Sequence, residues 1–173
     1  MVLNGTIINQ NGWVWKLGMN LTHYKNKVTE LPLKDMPQSG VNKLQVGRSV
    51  YDFYMKEWAG VDPDNGNPLW YMDEVDANDN PTGKRVTTSD YASANYYYVN
   101  KSSLPKVYGG FNTSLSWKGF DLSAIFAYSI GGYIYNRDIT MILHNGSLEG
   151  RDWSTEILRR WTPENRYTDV PAL

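Results

Sequence analysis

Cysteine is absent from the 173 residues. Its absence excludes a disulfide-stapled scaffold, a thiolate zinc site and a thiol nucleophile, and it fits an exported protein that avoids stray oxidation. Long apolar runs are missing too, and none approaches the ~18 residues a membrane-spanning helix needs. Neither sign of charge is in excess, 17 Lys plus Arg against 18 Asp plus Glu, so no global field favours nucleic acid or an acidic partner. Phenylalanine is sparse. The chain has 4 Phe beside 13 Tyr and 7 Trp, and rings with an apolar body and a polar tip suit membrane–water boundaries and sugar-binding surfaces alike. The mean hydropathy of −0.53 is that of a water-soluble protein. It equally fits membrane strands, which alternate outward apolar with inward polar residues and so average to a polar value.

The strongest periodicity lies over Trp13–Tyr24. Trp13, Trp15, Leu17, Met19 and Leu21 share one parity, and Val14, Lys16, Gly18, Asn20 and Thr22 share the other. A period of two with one apolar face predicts a strand, and its length suits the ~9–11 residues of a tilted membrane strand with an overhang. A second unit places Phe111, Thr113, Leu115 and Trp117 on one face. After Lys118-Gly119 the pattern resumes with Phe120, Leu122, Ala124, Phe126, Tyr128 and Ile130. Two alternating runs joined by a two-residue turn with glycine predict a β-hairpin. Trp117 and Phe120 flank that turn, where an aromatic girdle sits in a membrane barrel. Asn9-Gln10-Asn11-Gly12 predicts another tight turn, with Leu3–Ile8 before it as the tail of a preceding strand.

The joins differ sharply in length. Outer-membrane barrels have short turns on the periplasmic side and long loops outside, so strands at 12–24, 105–117 and 120–135 are expected to cross the membrane. Residues 25–104 and 136–173 are expected outside it. Within the excursion, Val46–Val61 and Leu69–Met72 flank the turn cluster Asp62-Pro-Asp-Asn-Gly66, which predicts a projecting hairpin. Asp76–Pro81 and Ser89–Asn95 are expected to be polar loop. Ser154–Trp161 is expected to form a short helix capped by Ser154 and ended by Pro163. The predicted class is all-β: antiparallel strands of a transmembrane β-barrel, incomplete with about four membrane strands, carrying a long extracellular excursion. The start, Met-Val-Leu-Asn-Gly-Thr-Ile-Ile, shows no secretion signal, and the chain stops in loop-like Asp169-Val-Pro-Ala-Leu173. Signal peptide and plug domain are therefore expected to lie outside this sequence.

Several stretches resemble the SusC/RagA family of TonB-dependent outer-membrane transporters. They are Trp15 with Asn26-Lys-Val28, Val46-Gly-Arg-Ser49, and Glu57-Trp-Ala-Gly-Val-Asp-Pro-Asp-Asn-Gly66. Pro105-Lys-Val-Tyr-Gly-Gly-Phe-Asn112, Lys118-Gly-Phe-Asp-Leu122, Arg160-Trp-Thr-Pro-Glu-Asn165 and Thr168-Asp-Val-Pro171 continue the series in order. The resemblance covers nearly the whole chain and corresponds to a late part of the barrel. It implies a large barrel filled by a plug that imports oligosaccharides or peptides. It also implies a TonB drive and a SusD-like surface lipoprotein closing over the mouth.

Catalysis is not expected. His23 and His144 stand in no nucleophile motif. Asp62 with Asp64, and Asp73 with Glu74 and Asp76, lie in turn-rich sequence where Asp bonds to backbone. Asp76-Ala-Asn-Asp-Asn80 partly mimics a calcium loop, but Pro81 stands where glycine is needed and no Glu closes it, so no metal or other cofactor is expected. The better candidates for ligand contact are the extracellular aromatics Trp58, Trp70, Tyr71, Tyr96, Tyr97 and Tyr98, whose faces can stack on sugars or a partner. Their plainer role is to pack on each other and order the excursion. Trp13, Trp15, Leu17, Met19, Leu21, Phe111, Leu115, Trp117, Phe120, Leu122 and Phe126 are expected to face lipid. The opposite parity (Lys16, Asn20, Asn112, Ser114, Ser116, Asp121, Ser123) is expected to face lumen or plug. The competing architecture is a secreted β-sandwich that binds carbohydrate, in which a second sheet would cover the apolar face.

Overall fold

The computed structural model describes residues 1–33, 36–144 and 146–173. Its elements in chain order begin with β1 (Val2–Gln10), β2 (Trp13–Thr22), β3 (Gln38–Ser39), β4 (Asn42–Lys43), β5 (Asp52–Lys56) and β6 (Trp58–Val61). There follow β7 (Pro68–Val75), β8 (Pro81–Thr88), β9 (Tyr96–Ser102), β10 (Val107–Trp117) and β11 (Phe120–Ile130), then the helix α1 (Arg137–Ile142) and a 3-10 helix over Thr155–Arg159. The chain forms two compact units, Met1–Phe53 with Asn100–Ile134, and Tyr54–Val99 with Tyr135–Leu173. Strands β3, β4, β5 and β9 pair in that order. None of the described helices is long and apolar enough to cross a membrane.

The first unit is built on an antiparallel sheet of order β1-β2-β10-β11. Both expected tight turns are present, with left-handed pairs Asn11-Gly12 (φ 53° and 78°) and Lys118-Gly119 (φ 46° and 88°). Positive φ at both central residues gives a turn whose twist matches the strands it joins. Three strand ends differ from expectation. β2 stops at Thr22 and β10 starts at Val107, while β11 ends at Ile130 instead of 135. There Gly131 and Gly132 both take φ near +80°, which turns the backbone out of the ladder. Tyr128 reaches from β11 across the bare backbone of Gly109 to donate to the Asn20 carbonyl of β2 at 2.9 Å. The sheet is open, with β1 and β11 at its edges.

The second unit carries a three-stranded sheet, β6-β7-β8. The hairpin expected around Asp62–Gly66 is β6–β7, with Trp58 opposite Trp70. Two strands, β8 and β9, arise where no strand was expected. β8 carries Thr, Lys, Arg and Val with no apolar face, so its sequence gives no alternation to read, and it holds by pairing with β7 from Trp70↔Thr88 to Val75↔Pro81. The helix expected at Ser154–Trp161 is the short 3-10 turn. Ser154 caps it by accepting from Glu156 N at 3.3 Å, and the chain leaves it at Arg160 (ψ 159°), before Pro163.

Very little of the apolar surface is inside. Among the described residues the only buried apolar side chains are Phe53 and Ala94. A self-sufficient domain of this length would bury most of its large apolar side chains. The apolar surface here is arranged to meet something else.

Candidate functional site

Register turns the apolar parities of the sheet into one surface. Trp13, Trp117 and Phe120 lie side by side across β2, β10 and β11; Trp15, Leu115 and Leu122 form the next row, and Met19, Phe111 and Phe126 another. Ile8 and Leu3 extend the second and third of these rows onto β1. Leu17 sits between Gly5 and Thr113, and Leu21 opposite Gly109. All eleven residues expected to face lipid therefore share one face, because directly paired residues in an antiparallel sheet point the same way. Trp13 stacks on Trp117 at 4.9 Å, and Phe111 on Phe126 at 4.4 Å. The Trp15 indole donates to Thr113 Oγ1 at 2.9 Å, so its polar edge is satisfied within the apolar face. Nothing among the described residues covers this surface: Leu122 is 69% and Phe120 76% exposed. A sandwich would have buried it.

The other face is polar and in register too. Lys16, Ser114 and Ser123 form one row, and Ser116 lies opposite Asp121 and donates to it. Asn112 and Asn4 flank Gly18, where an added Cβ would collide with both amide oxygens. Asn20 Oδ1 accepts from Gly110 N at 3.1 Å. Of the two histidines, His23 meets the Lys106 carbonyl at 2.6 Å just beyond the sheet.

In the second unit the expected aromatics part into two groups. Tyr96 stacks on Tyr54 at 5.6 Å, and Tyr98 lies 4.8 Å from the same ring. Tyr97 donates to Asp73 Oδ1 at 2.9 Å under the Arg85 guanidinium, 3.8 Å from the ring centre. Arg85 also pairs with Glu57 at 2.9 Å. Lys56 sits over Tyr91 and donates to its carbonyl. These rings order the unit through one another. Tyr71 lies on the face of β7 opposite Trp70 and its N–H bonds the Glu57 carbonyl at 3.1 Å.

Trp58 and Trp70 are placed differently. They meet edge to face at 5.7 Å, Tyr91 packs against Trp70 at 5.1 Å, and all three line a cavity of about 770 Å³ with Trp153 and residues of the helix end. Ile142, Leu143, Ile157, Val170 and Pro171 make up most of the remaining wall, with His144, Ser147, Glu156 and Asp169 as its polar members. Burial pushes the Tyr91 phenol up from its usual pKa. His144 is 8% exposed; its Nδ1 accepts from Leu148 N at 3.2 Å and its ring meets Trp153 edge-on at 5.4 Å. An accepting Nδ1 leaves the ring proton on Nε2, and that buried Nε2 has no partner among the described residues. Tyr91 and Trp153 did not stand out in the sequence, and His144 was noted there only as a histidine outside any nucleophile motif. Each is a lone ring in loop sequence, and only the return of residues 135–173 onto β6 and β7 brings them together.

The carboxylates are spent on turns. Asp62 accepts from Asp64 N and Asn65 Nδ2 at 2.9 and 2.8 Å. Asp76 accepts from the N–H groups of Asn78 and Asn80, and these bonds, Asn80's first, hold its carboxyl below the usual range. Glu74 accepts from Thr82 at 2.6 Å.

Tyr97 gives a titration test of this packing. Its pKa is pushed up to about 12, first by burial and then by its bond to Asp73. A folded pKa above the unfolded value of about 10 contributes stability that is complete below pH ~10 and lost as pH rises toward about 12. Asp73→Asn removes the anion that opposes ionisation. The expected result is a tyrosine in the ultraviolet absorbance titration whose midpoint falls relative to wild type; an unchanged curve would show that the Tyr97–Asp73 bond is not made.

No family model matches the chain. It is 26% identical over 98% of its length to TonB-dependent receptor P3 of Formosa agariphila, and 28% identical over 98% to TonB-dependent receptor P26 of the same organism. It spans 18% of each of these relatives. Among solved structures it superposes on the RagAB peptide transporter with a TM-score of 0.84 and 34% identity, covering 99% of this chain and 19% of that one. The RagAB peptide importer in its closed-closed state gives 0.83 and 33%, covering 98% and 19%.

Proposed function

We propose, from the premise that this chain is a stretch of a SusC/RagA-type TonB-dependent receptor, that it forms part of the wall and outer gate of an outer-membrane nutrient importer. The observation that carries this is the uncovered apolar face in register across β1, β2, β10 and β11. From Trp13 to Leu21 that face runs about 27 Å along the strand at ~3.4 Å per residue, the scale of the ~25 Å apolar band of a barrel once strand tilt is counted. One end is marked by the Trp13–Trp117–Phe120 row and the other by Tyr24 and Tyr108, which meet edge to face at 6.0 Å.

In this reading the stretches 12–24, 105–117 and 120–135 cross or overhang the membrane, and the two tight turns face the periplasm. Residues 25–104 and 136–173 lie outside, with the polar face toward lumen or plug. The substrate is an oligosaccharide or a peptide; the superposition on a peptide transporter supports the second. A SusD-like lipoprotein closes over the outer segments, and the TonB complex acts through parts of the receptor other than this chain. No cofactor and no catalytic role are assigned.

Single cysteines test the placement. Leu17→Cys, Leu115→Cys and Phe126→Cys should react with a membrane-dissolved maleimide, while Ser114→Cys and Ser123→Cys should react only with a water-soluble one. Equal labelling of the two sets would sink the reading.

A further inference from the structure

We infer that a basic pocket beyond the Thr22 end of β2, in the first unit, binds a phosphate group, the chemistry shared by an anionic lipid headgroup and a free phosphate. That a lipid can reach it rests on the reading that this end of the sheet lies at the outer membrane surface.

The pocket has a volume of about 350 Å³ and is lined by Lys25, Lys27, Arg48 and Lys106, with Asp52 as the one carboxylate among its described residues. The whole chain is nearly neutral, so this concentration of positive charge is local. Lys25, Lys27 and Lys106 form no ion pair among the described residues. Asp52 is already engaged, accepting from Ser49 N at 3.3 Å. Lysines gathered around one small space repel one another, and an anion relieves that repulsion.

The backbone beneath these side chains is fixed in advance. Val28 N donates to Arg48 O and Gly47 N to Val28 O, both at 2.8 Å. Asn26 Oδ1 accepts from Ser49 Oγ at 3.1 Å and from Val50 N at 3.0 Å. His23 Nδ1 donates to the Lys106 carbonyl at 2.6 Å. The three segments that carry the basic residues are thus tied together, and binding has little beyond side chains to order.

Size and charge choose the ligand. The volume is at the low end of the ~300–1,000 Å³ of small-ligand sites, room for one anionic group and not for an acidic polymer. A phosphate group carries about −1.5 to −2 charges at pH 7, against one for a carboxylate, and lysine holds it as a point charge. Position adds a lipid source. The apolar parity of β2 ends at Leu21, in a row with Gly109 and Tyr128, and Tyr128 is a polar-tipped ring of the kind found at membrane boundaries. The pocket begins at His23, two residues further on. That is about 7 Å at ~3.4 Å per residue, within the ~5–8 Å headgroup layer that flanks the hydrocarbon on each side.

The test uses the receptor polypeptide containing this chain, in detergent at fixed ionic strength. Inorganic phosphate and acetate are titrated by calorimetry, and retention of phosphatidic acid over phosphatidylcholine is counted by native mass spectrometry. Phosphate is expected to bind at least ten-fold more tightly than acetate, or phosphatidic acid to be retained preferentially. The first outcome identifies a soluble source and the second a lipid one. Lys25→Gln combined with Lys27→Gln should weaken whichever binds about ten-fold. Lys16→Gln combined with Lys84→Gln, an equal loss of charge outside the pocket, should not. Asp52→Asn keeps an acceptor for Ser49 N and removes the negative charge, so it should tighten binding about three-fold, which a misfolded variant cannot do. The inference is overturned if neither phosphate nor phosphatidic acid is preferred over its control, if the two double variants weaken binding alike, or if Asp52→Asn weakens it. The phosphate titration is read without a membrane. Its failure alongside correct cysteine labelling would remove only this site, and intact binding alongside equal labelling would remove only the barrel reading.

Discussion

Arginine at Leu17 or Leu115 is expected to cost ~2–4 kcal/mol of folding free energy in a bilayer, and arginine at Ser114 far less. Leu115 lies between Trp15 and Leu122, and Leu17 beside Thr113, in the middle of the apolar face. Ser114 is one residue from Leu115 and on the polar face beside Lys16. Strand propensity and sequence neighbourhood are nearly the same at positions 114 and 115, so a difference between them reports the medium each side chain meets. An exposed surface in water would tolerate arginine within about 0.5 kcal/mol at either position. Urea titration of the receptor refolded into lipid vesicles, followed by the loss of its compact band on unheated gels, measures the cost. Equal small costs at 115 and 114 would mean that this face meets water or another protein surface instead of lipid.

Replacing Gly66 with valine should release the last segment of the second unit. Gly66 has φ +79°, and an added Cβ would lie 2.6 Å from Trp161 Cδ2 and 2.8 Å from the Ala172 Cβ. The left-handed backbone costs an ordinary residue ~1–2 kcal/mol, and crowding a packed ring adds ~1–3 kcal/mol. What Gly66 permits is a clasp. Ala172 N donates to its carbonyl at 2.9 Å, Trp161 Nε1 to Pro63 O at 3.1 Å, and Trp161 N to Val170 O at 2.8 Å. Hydrogen exchange at the Trp161 and Ala172 amides should accelerate by about 30-fold or more, at ~1.4 kcal/mol per factor of ten. Gly83→Val separates the two causes, since Gly83 also has φ +79° but no atom within 4 Å of its Cβ position. Exchange at Trp161 and Ala172 unchanged in Gly66→Val would refute the clasp.

The strands of the first sheet were legible because a strand with one apolar face alternates: Trp13 to Leu21, Phe111 to Trp117 and Phe120 to Ile130 each keep one apolar parity. The turns were legible because Asn-Gly and Lys-Gly sit between such runs. β8 was not, since a strand polar on both faces carries no alternation and depends on its neighbour's backbone. The end of β11 was missed because Tyr133, Ile134 and Tyr135 continue an aromatic-rich run past two glycines. Among the aromatics, composition pointed to Trp58, Trp70, Tyr71 and Tyr96–Tyr98 equally. Geometry then set Trp58 and Trp70 in a cavity wall and Tyr96–Tyr98 among Tyr54, Asp73 and Arg85.

The sequence by itself determined the parity of each long strand, the two tight turns between them and the absence of cysteine chemistry. These follow from local rules, the two-residue pleat and the left-handed demands of short turns. Only the tertiary structure decided that β2 pairs with β10 across the 84 intervening residues 23–106, so that separate apolar stripes become one surface. It also decided that His144 and Trp153 stand against Trp58 and Trp70. Pairing and cavity formation depend on which distant backbones meet, and a period read along one strand contains no information about its neighbour.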